Sequence, residues 1–233
     1  SVMRGAQGRG DIFDATRGQI LRGELVRAAR RTEMEYFSSK DVWTKVPWEE
    51  ARRRTGKNPI SVRWVDVNKG DDLETNYRSR LVARDIKRKG EPSIFAPTPP
   101  LESLRSILSM AATKDCWSEQ VWNADPESED RIQISFIDIA RAYFNAKISD
   151  ENPIYVELPP EDEDHGRGMC ARLNVHMYGT RPAADGWHCE FSGTLESIGM
   201  VKGTSSACVF RHEERQLLCT VHGDDFATVG PKS

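Results

Sequence analysis

The sequence lacks the marks of several common protein classes. Its five cysteines (Cys116, Cys170, Cys189, Cys208 and Cys219) are odd in number, well spread and without a CxxC pair. That excludes a disulfide framework and a zinc knuckle and fits a reducing compartment. No apolar run approaches the roughly 18 to 20 residues that cross a bilayer. The opening SVMRGAQGRG carries charge with no apolar h-region behind it, so the expectation is a soluble chain that is not secreted. The five histidines (His165, His176, His188, His212 and His222) show no HExxH or paired spacing. There is no GxSxG elbow, no Walker A loop and no strand–GxGxxG–helix unit, which leaves hydrolase, nucleoside-triphosphatase and Rossmann readings without support.

What is present is globular: 233 residues, 38% hydrophobic and 30% charged. That is enough chain to fold by burial alone, as one domain or two small ones. The net charge of -3 hides an asymmetry about Gly90. Residues 1–90 carry 21 Lys and Arg against 13 Asp and Glu, and residues 91–233 carry 12 against 23. A basic front and an acidic rear suggest a polyanion-facing surface beside a site that wants divalent cations.

From Asp14, the apolar positions Ile20, Leu21, Leu25, Ala28 and Ala29 recur at helical spacing among arginines. This predicts an amphipathic helix to about Phe37 with a basic outer face. SVRWVDV (61–67) and YRSRLVAR (77–84), separated by NKGDD, predict a β-hairpin on which Arg78, Arg80 and Arg84 share one face. After APTPP (96–100), Thr98 and Pro99 predict the start of a mostly buried helix carrying Leu101, Leu104, Ile107, Leu108 and Ala111. RIQISFIDI (131–139) predicts a strand whose stripe of Ile132, Ile134 and Phe136 ends in Asp138, a carboxylate that burial would oblige to find a partner. Beyond the acidic loop Glu161 to Asp164, Trp187, Phe191, Leu195 and Ile198 share one helix face closed by Gly199. Last, QLLCTV and FATV flank HGDD (222–225), the pattern of a hairpin with a tight polar tip.

Asp138 at a strand end and Asp224-Asp225 at a hairpin tip are the candidate catalytic and metal-binding residues. If the two strands lie side by side, three carboxylates meet, a donor set for two Mg²⁺ ions that would activate a 3′-hydroxyl and stabilise leaving pyrophosphate. A solvated turn is the plainer reading of such a pair, and Asp71-Asp72 is a second pair for which no role is claimed.

RWVDVNKGD with YRSRLVAR, FAPT followed by SLRSILSMAA, SFIDIARAYFNA, IYVELPP, MYGTRPAADGW and VHGDDF stand in one order over roughly Asp41 to Gly230. In order and spacing they resemble the reverse transcriptase of copia-type retrotransposons. The resemblance implies an α+β fold, a right-hand polymerase palm of antiparallel sheet backed by helices, with a fingers subdomain and the thumb absent. It implies a basic N-terminal helical segment (1–40), fingers (41–113), a first palm part (114–142), a fingers/palm insertion (143–175) and a palm segment with the aspartate-pair hairpin (176–233). It implies RNA-directed DNA polymerase activity with two Mg²⁺, or Mn²⁺, on Asp138, Asp224 and Asp225. Arg80, Arg84, Ile139 and Tyr143 would handle the dNTP, with Tyr143 excluding a 2′-hydroxyl. Tyr178, Gly179, Arg181, His222 and Gly223 would meet template or primer. The implied partners are an RNA or DNA template with its primer, dNTP, and the rest of the Pol polyprotein (thumb, ribonuclease H, integrase), with no membrane. The implied location is cytoplasmic, in a virus-like particle, or nuclear.

Two departures stand out: Pro182 where the family has glutamine, and His222-Gly223 in place of tyrosine and an aliphatic residue. Two further readings stay open, an inactive nucleic-acid-binding or structural remnant and a metal-dependent phosphodiesterase using the same carboxylates on water.

Overall fold

The computed structural model describes residues 11–71, 73–86, 97–125 and 127–232. The opening decapeptide, Asp72 of the NKGDD turn and Ala96 of the proline break lie outside the described residues. In chain order the elements are β1 (Ile12–Phe13), β2 (Ile20–Leu21), α1 (Gly23–Ser39), β3 (Trp43–Pro47), α2 (Trp48–Thr55), β4 (Val62–Asn68), β5 (Tyr77–Ala83) and α3 (Leu101–Ala111). There follow α4 (Glu119–Trp122), β6 (Gln133–Asp138), β7 (Tyr155–Glu157), β8 (Met169–Leu173), α5 (Ala183–Ser197), β9 (Val201–Lys202), β10 (Val209–His212), β11 (Leu217–His222) and β12 (Asp225–Gly230). The named strand pairs are all antiparallel, so the chain is mixed α and β with antiparallel sheets. Two compact units divide it: Ser1–Arg88 with Lys147–Arg181, and Lys89–Ala146 with Pro182–Ser233.

In the first unit β4 and β5 form the expected hairpin, with Val65 opposite Arg80 and Asp66 opposite Ser79. Alternation then sorts the side chains: Ser79, Leu81 and Ala83 are buried, whereas Arg78 and Arg80 lie on the other face. Helix α1 starts at Gly23, not near Asp14. Asp14 instead accepts the N–H groups of Thr16 and Arg17 on one carboxylate oxygen, at 2.8 and 2.7 Å, which turns the chain between β1 and β2. A short side chain that bonds its own backbone competes with the helix here, and apolar spacing does not reveal it. Nor is α1 basic on its outer face alone. Arg30 turns inward, bonds buried Asp66 through Nε and Nη2 at 3.1 and 2.7 Å, and lies over the Trp64 ring. Ser79 donates to the same Asp66 carboxylate at 2.6 Å, so the buried charge is fully matched. The acidic loop is answered by the chain's own cations: Arg30 bonds Glu161, and Lys45 pairs with Asp162 and Asp164 at 2.9 and 2.8 Å. Part of the charge asymmetry is therefore internal.

The second unit is built on one sheet ordered β6-β12-β11-β10-β9. Helix α5 covers one face, where Trp187 and Phe191 join Phe210, Cys219 and Val221 in a buried cluster. Its rings meet edge-on, Trp187–Phe191 at 5.6 Å and Phe191–Phe210 at 6.1 Å, the geometry that ring quadrupoles favour. Helix α3 covers the other face, packing Ile107 with Ala227 and Val229.

Three expectations need correction. Helix α3 is capped by Pro100, not Thr98; Leu101 is 60% exposed, and Ile107 is its one buried residue. In α5, Ile198 is the C-cap residue and is exposed, because the helix ends at Ser197, one residue short of completing the stripe. Strand β6 is exposed along its whole length, with Phe136 67% and Ile134 47% accessible. It is the edge strand of the sheet, so the stripe that leads to Asp138 is open and the carboxylate is not buried.

Burial also decides cysteine chemistry. Cys219 lies inside the α5 cluster, and desolvation pushes its thiol up to about 12; Cys170 is pushed up to about 11 by burial and by Glu50 and Glu49. Cys116 and Cys189 are exposed. Iodoacetamide at pH 8 is therefore expected to label Cys116 and Cys189 rapidly and to leave Cys170 and Cys219 unmodified until the chain unfolds, as read by peptide mass spectrometry. The raised thiols stabilise the fold fully below the ordinary thiol pKa. This contribution is lost as pH rises from about 9 towards the folded values, so thermal stability falls in that window.

Candidate active site

Hairpin β11–β12 sets His222 opposite Asp225, leaving Gly223 and Asp224 as a two-residue turn. Gly223 has φ 66°, a left-handed conformation that a tight hairpin needs at this position and that glycine adopts without Cβ strain. Both turn carbonyls are fastened: the Trp187 indole donates to the Gly223 carbonyl at 2.8 Å, and the Ile139 N–H donates to the Asp224 carbonyl at 2.9 Å. A buried indole N–H needs an acceptor, and here that need ties α5 to the hairpin tip. Sequence reasoning placed Trp187 in the core and missed this second role, which no local pattern signals. Trp187→Phe is expected to keep the core but cost about 1 kcal/mol for the lost hydrogen bond. Faster amide exchange at Ile139 and in the tip, with α5 still protected, is the result that checks it.

Strand β12 pairs with β6 so that Asp225 stands directly opposite Asp138. Both are exposed, and among the described residues neither carboxylate meets a cation or a hydrogen-bond donor. Asp71 is a useful contrast, because its Oδ1 accepts the Leu73 and Glu74 N–H groups at 2.8 and 2.6 Å and is spent on its own turn. Asp138 and Asp225 are not spent. As hard oxygen donors across a strand pair, they suit a divalent ion such as Mg²⁺. Asp224 is not gathered with them: among the described residues, no three His, Cys, Asp or Glu side chains form a group able to hold a metal. A cleft of about 460 Å³ opens on the Asp138–Asp225 face, between Pro100 and Leu104 on one side and Phe136 and Thr220 on the other.

Past Asp138 the chain turns sharply. Ile139 is partly buried against the α5 cluster, and Arg141 takes a left-handed φ of 53°. The 3-10 turn Ala142–Asn145 then sets half-buried Tyr143 against the same cluster. Burial raises the Tyr143 phenol pKa, and the negative charge of nearby Asp224 raises it further. Tyr143 and the hairpin tip are thus neighbours.

The remaining candidates belong to the first unit. Arg80 lies over the Tyr178 ring at 5.1 Å, and its Nε is buried without a hydrogen-bond partner. Arg84 follows the end of β5, is exposed, and uses its N–H on the Ser61 carbonyl. The Tyr178-Gly179 segment docks on the end of β5, where the Ala83 N–H donates to the Tyr178 carbonyl at 2.8 Å and the Arg181 N–H donates to Asp85 at 2.9 Å. Gly179 has φ 82°, and a Cβ there would come within 2.0 Å of the Ala83 carbonyl oxygen. Its close approach is to the chain's own strand. Pro182 starts α5, and its carbonyl accepts the Gly186 N–H.

No helix among the described residues is long and apolar enough to cross a membrane. A family model described as "Reverse transcriptase (RNA-dependent DNA polymerase)" matches residues 45–233. The "Retrovirus-related Pol polyprotein from transposon TNT 1-94" of Nicotiana tabacum is 29% identical over 184 residues, 75% of this chain. The chain spans 12% of that polyprotein's length. The family match covers most of the chain, and the chain belongs to the reverse transcriptase (RNA-dependent DNA polymerase) family as a copia-type retrotransposon region.

Proposed function

We propose that this chain is the fingers and palm of an RNA-directed DNA polymerase, adding dNTP to a primer 3′-hydroxyl on an RNA or DNA template. The observation that carries the reading is the opposition of Asp138 and Asp225 across the β6–β12 pair, with both carboxylates exposed and unspent. In this reading the first unit is the fingers and the second the palm. In this reading Asp138 and Asp225 would hold two divalent ions, Mg²⁺ or Mn²⁺, with Asp224 of the same turn as the third carboxylate that the resemblance implies. Such ions, when bound, lower the pKa of the primer hydroxyl and neutralise charge on the leaving pyrophosphate.

The chain's own groups do the rest. Ile139 and Tyr143 form a packed wall under the sugar, where a 2′-hydroxyl would collide with the Tyr143 ring. Arg80 and Arg84 grip the triphosphate, the bidentate work for which guanidinium is suited. Tyr178, Gly179 and Arg181 lie along the template, and His222 and Gly223 lie near the primer end. The thumb, ribonuclease H and integrase portions of a Pol polyprotein are the covalent partners this reading implies, and a virus-like particle or the nucleus is the place.

The absence of a three-ligand group among the described residues favours a second reading, a nucleic-acid-binding remnant. Incorporation of dTTP, but not dATP, on poly(rA)/oligo(dT) in Mg²⁺ is the result the polymerase reading requires. Template binding without incorporation in either Mg²⁺ or Mn²⁺ would establish the remnant. Strand cleavage without dNTP would point to a phosphodiesterase.

A further inference from the structure

Trp187 touches the residues on either side of the aspartate pair. Its indole donates to the Gly223 carbonyl, next to Asp224, and its ring meets that of Phe226, next to Asp225, edge-on at 6.3 Å. Trp187 itself is buried in the α5 cluster, whereas Asp224 and Asp225 are exposed.

The hydrogen bond acts on one peptide plane. A peptide unit is rigid, so the chain at Asp224 moves only through its own φ and ψ. The indole holds the Gly223–Asp224 plane, and the Ile139 N–H holds the Asp224–Asp225 plane through the Asp224 carbonyl. The two planes that meet at the Asp224 Cα are thus both fastened, and the direction of its side chain is set. Ile139 follows Asp138, so the second fastening also ties the end of β6 to the tip.

The first plane has an alternative orientation. A two-residue hairpin turn is type I′ when both central residues have positive φ and type II′ when only the first has. Gly223 has φ 66°, and among the described residues only Asp41, Arg141 and Gln216 have positive φ outside glycine, so this turn is type II′. A flip of the central peptide converts one type into the other, and that peptide carries the carbonyl Trp187 holds. Aspartate tolerates the positive φ of type I′, so Asp224 opposes the flip only weakly. The flip would leave the indole N–H without its acceptor, which opposes it more.

We infer that Trp187 is a positioning residue of the hairpin: its indole N–H selects the type II′ turn and so sets where the Asp224 and Asp225 carboxylates stand. That these carboxylates serve polymerisation rests on the reading above; that the indole selects the turn does not.

The test compares variants of the full chain. Trp187→Phe keeps a ring in the cluster and removes the donor. Gly223→Asn reaches the same peptide from outside the core, because a Cβ there meets nothing within 4 Å. Asparagine adopts the left-handed conformation of type I′, whereas the first position of type II′ calls for glycine. Phe191→Leu is the control for packing alone, since the Phe191 ring also meets Phe226, at 5.8 Å, but makes no hydrogen bond to the tip. Three quantities are read. They are the nuclear Overhauser contact between the N–H protons of residues 223 and 224, close in type I′ and distant in type II′; Mn²⁺ affinity from the paramagnetic resonance of the free ion; and first-nucleotide incorporation resolved into a maximal rate and a dNTP dissociation constant.

Trp187→Phe and Gly223→Asn are both expected to gain the N–H contact and to bind Mn²⁺ about fivefold more weakly, the equivalent of one lost hydrogen bond. Both should lower the maximal rate by about tenfold, the cost of misplaced groups, with the dNTP dissociation constant within twofold. The double variant should be little worse than either, because both changes act on one peptide. Phe191→Leu should lower thermal stability, gain no contact, and keep affinity and rate within twofold. In Trp187→Phe, an N–H contact still absent, or a Mn²⁺ affinity within twofold of a wild type that binds the ion, would overturn the inference. So would equal losses in Phe191→Leu. A wild type that neither binds Mn²⁺ nor extends a primer would contradict the polymerase reading instead, and the N–H contact would still decide whether Trp187 selects the turn.

Discussion

Gly179→Ala is expected to free the end of β5. The substitution meets two costs at once. The backbone at φ 82° is a conformation that a Cβ penalises by about 1 to 2 kcal/mol, and the new methyl would lie 2.0 Å from the Ala83 carbonyl oxygen and 2.6 Å from Val82 Cγ1. Backbone cannot yield as a flexible side chain does, so the segment must lift away. Lifting it breaks the bonds that the Ala83 and Asp85 N–H groups make to the Tyr178 and Gly179 carbonyls, each worth about 1 kcal/mol. Together these come to about 3 kcal/mol, so amide exchange at Ala83 and Asp85 should accelerate by about two orders of magnitude. Gly166→Ala is the control, because Gly166 has φ 73° but open space where a Cβ would stand. It should show the strain cost alone. Equal, small effects at both positions would contradict the close approach.

The same glycine shows what a sequence carries and what it hides. The MYG motif requires a glycine, but only the fold reveals that its close neighbour is β5. The β4–β5 and β11–β12 hairpins were legible because alternation and turn residues are local signals. The opposition of Asp138 and Asp225 was legible as a consequence of pairing the two strands that carry them. Three features were not. The turn between β1 and β2 depends on where the Asp14 oxygens go, and helical spacing of Ile20 and Leu21 concealed it. The exposure of β6 depends on its edge position, which alternation cannot distinguish from a buried face. Arg30 reads as surface charge, yet its partner Asp66 lies 36 residues away in sequence.

The largest effect on activity is expected at the opposed aspartates. Asp225 is exposed and its carboxylate has no partner among the described residues, so Asp225→Asn should leave the fold intact. In the proposed polymerase reading it removes a charged donor from the centre where phosphoryl charge is neutralised, an effect worth several kcal/mol. At 1.36 kcal/mol per decade, a loss of about 4 kcal/mol is a rate decrease of about a thousandfold. Asp138→Asn should do the same, and the double variant should be little worse, because groups that act as one unit are not additive. The most direct measurement is the single-turnover rate of first-nucleotide incorporation on poly(rA)/oligo(dT) by the wild-type chain, Asp138→Asn and Asp225→Asn, each verified as folded. Incorporation by the wild type and a loss of about a thousandfold in both variants is the predicted result. Incorporation that survives either substitution within threefold would contradict the assignment of the catalytic centre to Asp138 and Asp225.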